Sequence, residues 1–343
     1  MDIPIYNLYY LLCYAWDKLE ERDIISVSQI DKDNIVDLFA KVLNQGVSHL
    51  LRRGLDRGYI VHDEEMSRIR GKINFAATLK RNFFSQPILN CEFDELSHNV
   101  LHNKILKSTI KMLILCEDVD DRIHDELVFI FRRLQGIDEI PLMKKHFRLV
   151  QLNRNNYFYD FLLKICELVW DNLLISDKTG RSKFQDFVRD ERRMAHLFEE
   201  FVRNFYKKEQ TQFRVCRENI PWDAVSADSA AMKFLPRMET DISLISPSRK
   251  LVMDTKYYRE ALQTYYEKET IKSDNLYQLL AYLKNLECRG EENINSEGIL
   301  LYPTVSQKLD LEYSIQGHRV VVRTIDLNQD WRTIHDDLLA IIN

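Results

Sequence analysis

Apolar residues recur every three or four positions in the opening stretch Ile5-Tyr6-Asn7-Leu8-Tyr9-Tyr10-Leu11-Leu12-Cys13-Tyr14-Ala15-Trp16, the spacing that lines one face of an α-helix. The same period runs through Ile35 to Leu51, and both segments read as core helices. From Gly54 to Phe93 the pattern shortens to strand-like pieces, Gly58-Tyr59-Ile60-Val61 and Ile69-Arg70-Gly71-Lys72-Ile73-Asn74-Phe75, separated by charged or glycine-containing turns. This predicts a β-rich projection. Helical period returns over Asn99 to Leu115, Asp125 to Leu134 and Tyr157 to Leu174, and Ser176-Asp177-Lys178-Thr179-Gly180-Arg181-Ser182 reads as a polar linker. Beyond it come a helix (Met194 to Tyr206), a strand (Phe213 to Arg217), strands around Asp241 and Asp254, and a helix (Asn275 to Leu286). Strands at Ile299 to Tyr302 and Arg319 to Ile325 and a closing helix from Trp331 to Ile342 complete the series. Helices and strands mixed in this order predict a central mixed sheet flanked by helices, and a mixed α+β chain as a whole.

Length and composition add a division to this picture. With 343 residues, 45% of them apolar and 29% charged, the chain exceeds the usual ceiling for one hydrophobic core and is expected to form two domains, 1–180 and 181–343. Its six cysteines form no C-x-x-C pair, which fits small buried side chains in a reducing, cytoplasmic compartment better than disulfides or a zinc site. No apolar run approaches the roughly 20 residues that span a bilayer, and Met1-Asp2-Ile3-Pro4 lacks the basic region and apolar stretch of a signal peptide; neither membrane nor export is expected. The net charge of -5 matters because a self-sufficient DNA binder displaces counterions with a basic surface. An acidic chain that works on DNA is better suited to a complex in which another subunit supplies much of the grip.

The candidate chemistry lies in Pro236-Arg237-Met238-Glu239-Thr240-Asp241 and, twelve residues further on, Asp254-Thr255-Lys256. Asp241 to Ile245 and Leu251 to Lys256 are strand-like and joined by Ser246-Pro247-Ser248-Arg249, a turn, so they predict a hairpin. Side chains alternate along a strand, so Asp254 and Lys256 share a face while Thr255 points away and leaves its carbonyl near that face. Two carboxylates and an ammonium then converge. Phosphodiester hydrolysis needs hard oxygen ligands for Mg²⁺, an acidified water and a cation beside the developing charge. Asp241 and Asp254 are therefore candidate metal ligands, with the Thr255 carbonyl completing the set. Lys256 would orient the attacking water or stabilise the transition state. Taken alone, D-x(12)-D-x-K is more often a surface ion pair on a strand. Gln278 and Tyr282, four apart on the next helix, share a face that can look back at the site.

The series of helix, P-x(4)-D hairpin, D-x-K and Q-x-x-x-Y helix resembles the PD-(D/E)xK nuclease superfamily, in whose RecB-like members a Q-x-x-x-Y helix follows the catalytic hairpin. The narrower resemblance, over nearly the whole chain, is to the McrC family. It is carried by the opening helix, Arg53-Gly54-Leu55, Arg70-Gly71-Lys72-Ile73, Asn103-Lys104-Ile105-Leu106-Lys107, Leu235 to Ile242, Asp254-Thr255-Lys256-Tyr257-Tyr258 and Asn275-Leu276-Tyr277-Gln278-Leu279. The resemblance implies a restriction-endonuclease-like domain at 181–343 with Asp241, Asp254, Lys256 and Gln278 as catalytic residues. Glu199, on the preceding helix, would be an extra metal-proximal carboxylate, against the alternative of a solvated one. It further implies a helical partner-binding domain at 1–180 whose β-rich stalk, about 58–91, enters the ring of an McrB-like AAA+ GTPase hexamer. The cofactor would be Mg²⁺, with Mn²⁺ as a substitute. The substrate would be double-stranded, 5-methylcytosine-bearing DNA in a phage-defence restriction system. GTP would be bound by the partner, in keeping with the absence of G-x-x-x-x-G-K-[ST] from this sequence.

A PD-(D/E)xK site cuts one strand, so double-strand cleavage implies a second copy of the complex. Stalk residues Arg68, Arg70, Lys72, Lys80 and Arg81 are candidates for acidic pore surfaces or DNA, or form a solvated charged face. His98 and His102, four apart and near Cys91, lack a fourth ligand and read as a helix start rather than zinc. Tyr6, Tyr9, Tyr10 and Tyr14 read as core, whereas Tyr257, Tyr258, Tyr265 and Tyr266 are candidates for a DNA groove. Two alternatives stand beside the nuclease subunit: an activator or scaffold of the GTPase, and a stand-alone RecB-like repair nuclease.

Overall fold

The computed structural model describes residues 3–19, 34–80, 88–153, 156–175, 182–184, 190–228, 230–258, 262–265, 268–290, 293–304 and 308–343. Two compact units emerge, one from the described residues between 34 and 184, the other from residues 3–19 together with 190–343. The opening helix α1 (Ile5–Ala15) therefore belongs to the same unit as residues 190–343, whereas the division at 180 assigned it to the first domain. The reason is its aromatic stripe. Tyr14 packs 5.8 Å from Phe201, 5.5 Å from Phe205 and 5.4 Å from Trp331, ring centre to ring centre. Asn7 donates to the carbonyls of Leu327 and Gln329, both at 2.8 Å. Tyr9 and Tyr14 are buried as expected of core residues; Tyr10 stacks on Trp331 and Tyr6 stays exposed.

In the unit of residues 34–184, α2 (Ile35–Arg53) starts where the Asn34 side chain accepts the Val36 N–H, an N-cap, and stops at Gly54 with φ +91°. Next come β1 (Gly58–Met66), β2 (Lys72–Ile73), α3 (Phe75–Lys80) and β3 (Leu89–Ser97). β1 and β3 pair antiparallel over nine positions, Gly58↔Ser97 to Met66↔Leu89, and β2 lines the other edge of β3. The β-rich projection thus extends past the expected end at 91, because the partner of Gly58 is Ser97. Gly71 at φ +68° makes the turn into β2 possible: a Cβ there would lie 2.3 Å from the Glu92 carbonyl oxygen. The ribbon carries more acid than base on its exposed positions, with Asp63, Glu64, Glu65, Glu92, Asp94 and Glu95 against Arg68, Arg70 and Lys72. Arg70 is already engaged, 4.0 Å over the Phe93 ring and 3.3 Å from Glu95. The Lys80 side chain and Arg81 lie outside the described residues.

Helices α4 (Leu101–Ile114), α5 (Asp121–Arg133), α6 (Lys144–Leu149) and α7 (Tyr157–Asn172) follow, then the short antiparallel pair β4 (Leu173–Ile175) and β5 (Ser182–Phe184). Residues 176–181 of the expected linker fall outside the described set, and Ser182 begins β5. A polar knot ties the root of the β ribbon to α4 and α7. The Tyr159 hydroxyl accepts the Asp56 N–H at 3.0 Å and donates to Asn103 Oδ1 at 2.9 Å, while Asn103 Nδ2 donates to the carbonyls of Asp56 and His98. Burial pushes the Tyr159 phenol up to about 12, so it stays a donor. His102 Nε2 lies 3.0 Å from Asp56 Oδ2, and His98 accepts from Arg57 Nε at 2.9 Å. Both histidines thus have local partners. Among the described residues no group of three or more His, Cys, Asp or Glu is arranged to hold a metal.

The second unit continues with α8 (Glu191–Glu209), capped by the Asp190 carboxylate on the N–H groups of Arg192 and Arg193. Strands β6 (Arg214–Cys216), β7 (Asn219–Ile220), β8 (Met238–Glu239), β9 (Ile242–Ile245), β10 (Lys250–Thr255), β11 (Leu262–Tyr265) and β12 (Lys268–Ile271) precede α9 (Ser273–Glu287). β13 (Glu297–Pro303), β14 (Asp310–Ile315), β15 (His318–Ile325) and α10 (Trp331–Ile342) end the chain. The expected mixed sheet has six strands in the order β14-β15-β13-β10-β9-β6, parallel at β10–β13 and β13–β15 and antiparallel elsewhere. β10 and β13 read as unbroken apolar runs because they are central and covered. On the α9 side Val252, Leu300, Tyr302, Val320 and Val322 meet Leu279, Tyr282, Leu283 and Leu286. Gly298 permits the approach, since a Cβ there would come within 2.8 Å of Leu279. Among the described residues no helix is long and apolar enough to cross a membrane.

Candidate active site

The hairpin of β9 and β10 closes through Ser246, whose N–H donates to the Arg249 carbonyl at 2.9 Å. Its register, Met253↔Ile242, leaves Asp241 and Asp254 as neighbours at the open end. Alternation sends Val252, Asp254 and Lys256 to one side of the sheet, and Val252 marks that side as the one covered by α9. The hairpin alone would give an ion pair; the helix completes a site.

Asp254 is wholly buried. Lys256 Nζ donates to its Oδ1 at 3.1 Å and lies 2.9 Å from Oδ2, yet off the hydrogen-bonding direction, so Oδ2 has no hydrogen-bond partner among the described residues. Lys256 also donates to Gln278 Oε1 at 3.0 Å; Gln278 Nε2 donates to the Tyr282 hydroxyl at 2.7 Å, and that hydroxyl donates to the Glu239 carbonyl at 2.9 Å. The ammonium is thereby fixed between strand and helix, while the Lys256 backbone N–H donates to the Leu301 carbonyl of β13 at 2.9 Å. Asp241 Oδ2 accepts from the Thr255 N–H at 2.9 Å and from the Thr255 hydroxyl at 3.2 Å. Thr255 therefore contributes its side chain as well as backbone, because it clamps the first carboxylate. That leaves Asp241 Oδ1 without a hydrogen bond among the described residues.

The electrostatics follow from burial. Desolvation, then the charge of Asp241, pushes the Asp254 carboxyl up to about 7, and Lys256 offsets this only in part. Burial and the charge of Glu199 also raise Asp241, against the Thr255 hydrogen bond and Lys256. Burial pulls Lys256 down, but Asp254 and Asp241 outweigh it and the net shift is upward, so it stays an ammonium. One buried and one half-buried carboxylate thus share the field of one cation, and each offers an oxygen without a hydrogen bond among the described residues. A divalent ion with hard-oxygen preference fits this donor set.

Glu199, on α8, is close enough to raise both aspartates, but its carboxylate is engaged by arginines. Arg203 Nη1 donates to its Oε1 at 3.1 Å and Arg217 Nη2 donates to the same oxygen. Glu200 is held by the same two arginines. The spacing Glu199, Glu200, Arg203 on one helix was a legible signal for part of this cluster; Arg217, distant in sequence, was not. Asn275 was read only as part of a motif, yet its Nδ2 donates to the Tyr302 hydroxyl at 2.9 Å. Tyr257 is buried against Phe198 and cannot line a groove. Tyr258 is half-buried, with Lys272 Nζ 3.5 Å above its ring. The Tyr265 side chain and Tyr266 are outside the described residues.

Comparison with known proteins places the chain in a family. Residues 6–303 match the family model described as McrBC 5-methylcytosine restriction system component. The chain is 35% identical over 341 residues, 99% of its length and 97% of the relative's, to the type IV methyl-directed restriction enzyme EcoKMcrBC of Escherichia coli (strain K12). Its fold is similar, with TM-score 0.62 and 17% identity, to a chain in the refined half-complex from the tetradecameric assembly of Thermococcus gammatolerans McrB AAA+ hexamers with bound McrC, covering 99% of this chain and 76% of that one.

Proposed function

We propose that this chain, which belongs to the family of McrBC 5-methylcytosine restriction system components, is the DNA-cleaving subunit of such a system. In this reading it hydrolyses phosphodiester bonds of methylated duplex DNA with Mg²⁺, through a PD-(D/E)xK site in residues 190–343. It does so with an McrB-like AAA+ hexamer that binds GTP and whose hydrolysis it stimulates through the unit of residues 34–184. The observation that carries the nuclease assignment is the Asp254 carboxylate: wholly buried, with one oxygen lacking a hydrogen bond, beside Asp241 and under a lysine fixed by Gln278. A scaffold has no use for such a group, because burying it costs stability with no return.

Asp241 and Asp254 would hold Mg²⁺, with the Thr255 carbonyl available to it. When bound, the ion supplies Lewis acidity toward the phosphate and makes the attacking water more acidic. The protein's own residues do the rest. Thr255 fixes the Asp241 rotamer, Gln278 and Tyr282 fix Lys256, and Lys256 presents a permanent positive charge to the phosphate as it becomes pentacovalent. Lys256 remains protonated at neutral pH, so it acts by electrostatics and orientation and not as a base.

The test pairs two readouts on the complex reconstituted with its GTPase: DNA cleavage and GTP turnover, each with wild-type chain and with Asp254→Ala. The expected result is loss of cleavage with stimulation of GTP hydrolysis retained. Unchanged cleavage would sink the catalytic assignment and leave an activator.

A further inference from the structure

Glu199 occupies the place where an added metal ligand would be sought, yet its surroundings are those of a different task. Its Oε1 accepts from two guanidinium groups, Arg203 and Arg217, and the adjacent Glu200 accepts from the same two. The two arginines differ in setting. The Arg203 side chain is 9% exposed and lies behind the carboxylates, while that of Arg217 is 37% exposed. Arg217 donates to both carboxylates through Nη2 alone; among the described residues its Nε and Nη1 donate to nothing. Arg217 follows the end of β6, where Cys216 pairs with Ser243, two residues from Asp241, and the Glu199 charge is felt by both Asp241 and Asp254. The cluster therefore borders the aspartates.

A carboxylate whose charge is already compensated by two guanidinium groups offers a metal far less than the aspartates do, because the arginines take up the field that would draw the cation. A guanidinium pinned at one corner, with its other N–H directions open, is instead suited to a phosphate oxygen pair. We propose that Arg217 is a phosphate-contacting residue of this site and that Glu199 and Glu200 are positioning residues that aim it, not metal ligands. The proposal rests on the nuclease reading above and assigns the polymer's backbone, not its bases, as what Arg217 meets.

The experiment uses the full chain in complex with its GTPase. Three quantities are measured: KM and kcat for cleavage of a defined methylated duplex, the salt dependence of duplex binding in Ca²⁺, and Mn²⁺ affinity by titration. Arg217→Gln is expected to raise KM about tenfold with kcat changed far less, and to lower the slope of log affinity against log salt by about one. Glu199→Gln is expected to shift KM the same way while leaving Mn²⁺ affinity within about twofold, and the double variant to be no worse than Arg217→Gln. Arg217→Lys keeps the charge but not the fork and should fall between, which separates lost phosphate contact from misfolding. Glu199→Gln that weakens Mn²⁺ as strongly as Asp254→Asn, or Arg217→Gln with unchanged KM and slope, overturns the proposal alone. Asp254→Asn that cleaves like wild type overturns the nuclease reading and this proposal with it.

Discussion

Asparagine at position 254 (Asp254→Asn) has nearly the same shape and no charge, so it isolates the cost of ionising a carboxyl that titrates at about 7 in place of 3.8. The folded-state value is the higher one, so the folded protein holds this proton more tightly than the unfolded chain. Stability from this group is therefore fully present below the unfolded value, near pH 4, and is lost as pH rises through about 7. A shift of roughly three units corresponds to about 4 kcal/mol at pH 8. That shift already contains the attraction to Lys256; the asparagine, however, turns an amide N–H toward a buried position built for acceptors, which costs about 2 kcal/mol and leaves an expected gain of about 2 kcal/mol. For a unit of this size that is a rise in melting temperature of about 4–8 °C. Differential scanning calorimetry in EDTA should show the variant melting above wild type at pH 8, with the difference closing by pH 4. Saturating Mg²⁺ should then reverse the order, because only wild type gains the binding contribution, about 2.7 kcal/mol at a hundredfold excess over Kd. A variant that melts at or below wild type in EDTA at pH 8, or that gains as much from Mg²⁺, would refute the reasoning. Either result would mean that Asp254 is not the strained ligand its burial implies.

Gln278→Leu removes an acceptor from Lys256 and a donor to Tyr282; cleavage turnover should fall more than tenfold while the Mg²⁺-induced rise in melting temperature persists. Gly298→Ala forces a methyl to within 2.8 Å of Leu279 and 3.0 Å of Leu283, so urea unfolding should register a loss of about 1–3 kcal/mol. Tyr159→Phe leaves the Asp56 N–H and Asn103 Oδ1 each short of a partner. It should cost about 1–3 kcal/mol, with faster amide exchange concentrated at the root of the β ribbon.

The helices and central strands were legible because their burial is one-sided or complete, and both leave periodic traces: α2, α8 and the apolar runs of β10 and β13 fall where the spacing put them. β14 was missed because only one of its faces packs, and Asp310 to Ile315 alternates weakly. α1 was assigned to the wrong neighbours because periodicity tells that a face is buried, not against what; Tyr14 finds Phe201 some 190 residues away in sequence. Of the site, Asp241, Asp254, Lys256 and Gln278 could be brought together from strand alternation and one helix turn, which are local rules. The pairing of Glu199 with Arg217 could not. It depends on where the turn after β6 leaves a side chain relative to α8, which no local pattern encodes.

The same pairing bears on how an acidic chain can handle a polyanion. Around the sheet, Glu218 engages Lys250 and Arg289, Glu297 engages Arg249 and Arg319, and Asp310 engages Arg323. Lys256 and Arg203 are likewise bound to internal carboxylates. Cations engaged in this way release few counterions when DNA arrives, so they add little to affinity; Arg217, whose Nε and Nη1 donate to nothing among the described residues, is the exception. The cations on Glu218, Glu297, Glu199 and Asp254 also cannot be surrendered cheaply, since each would leave a buried or partly buried carboxylate less compensated. The basic groups near the site are thus arranged to fix geometry, and with a net charge of -5 the chain has little general attraction for a duplex. If it is the nuclease proposed above, a subunit built this way should cut efficiently only when something else delivers and holds the DNA. In the proposed reading that division removes the hazard of a free nuclease that binds any duplex it meets, because the candidate site lies in this chain while most of the grip would come from its partner.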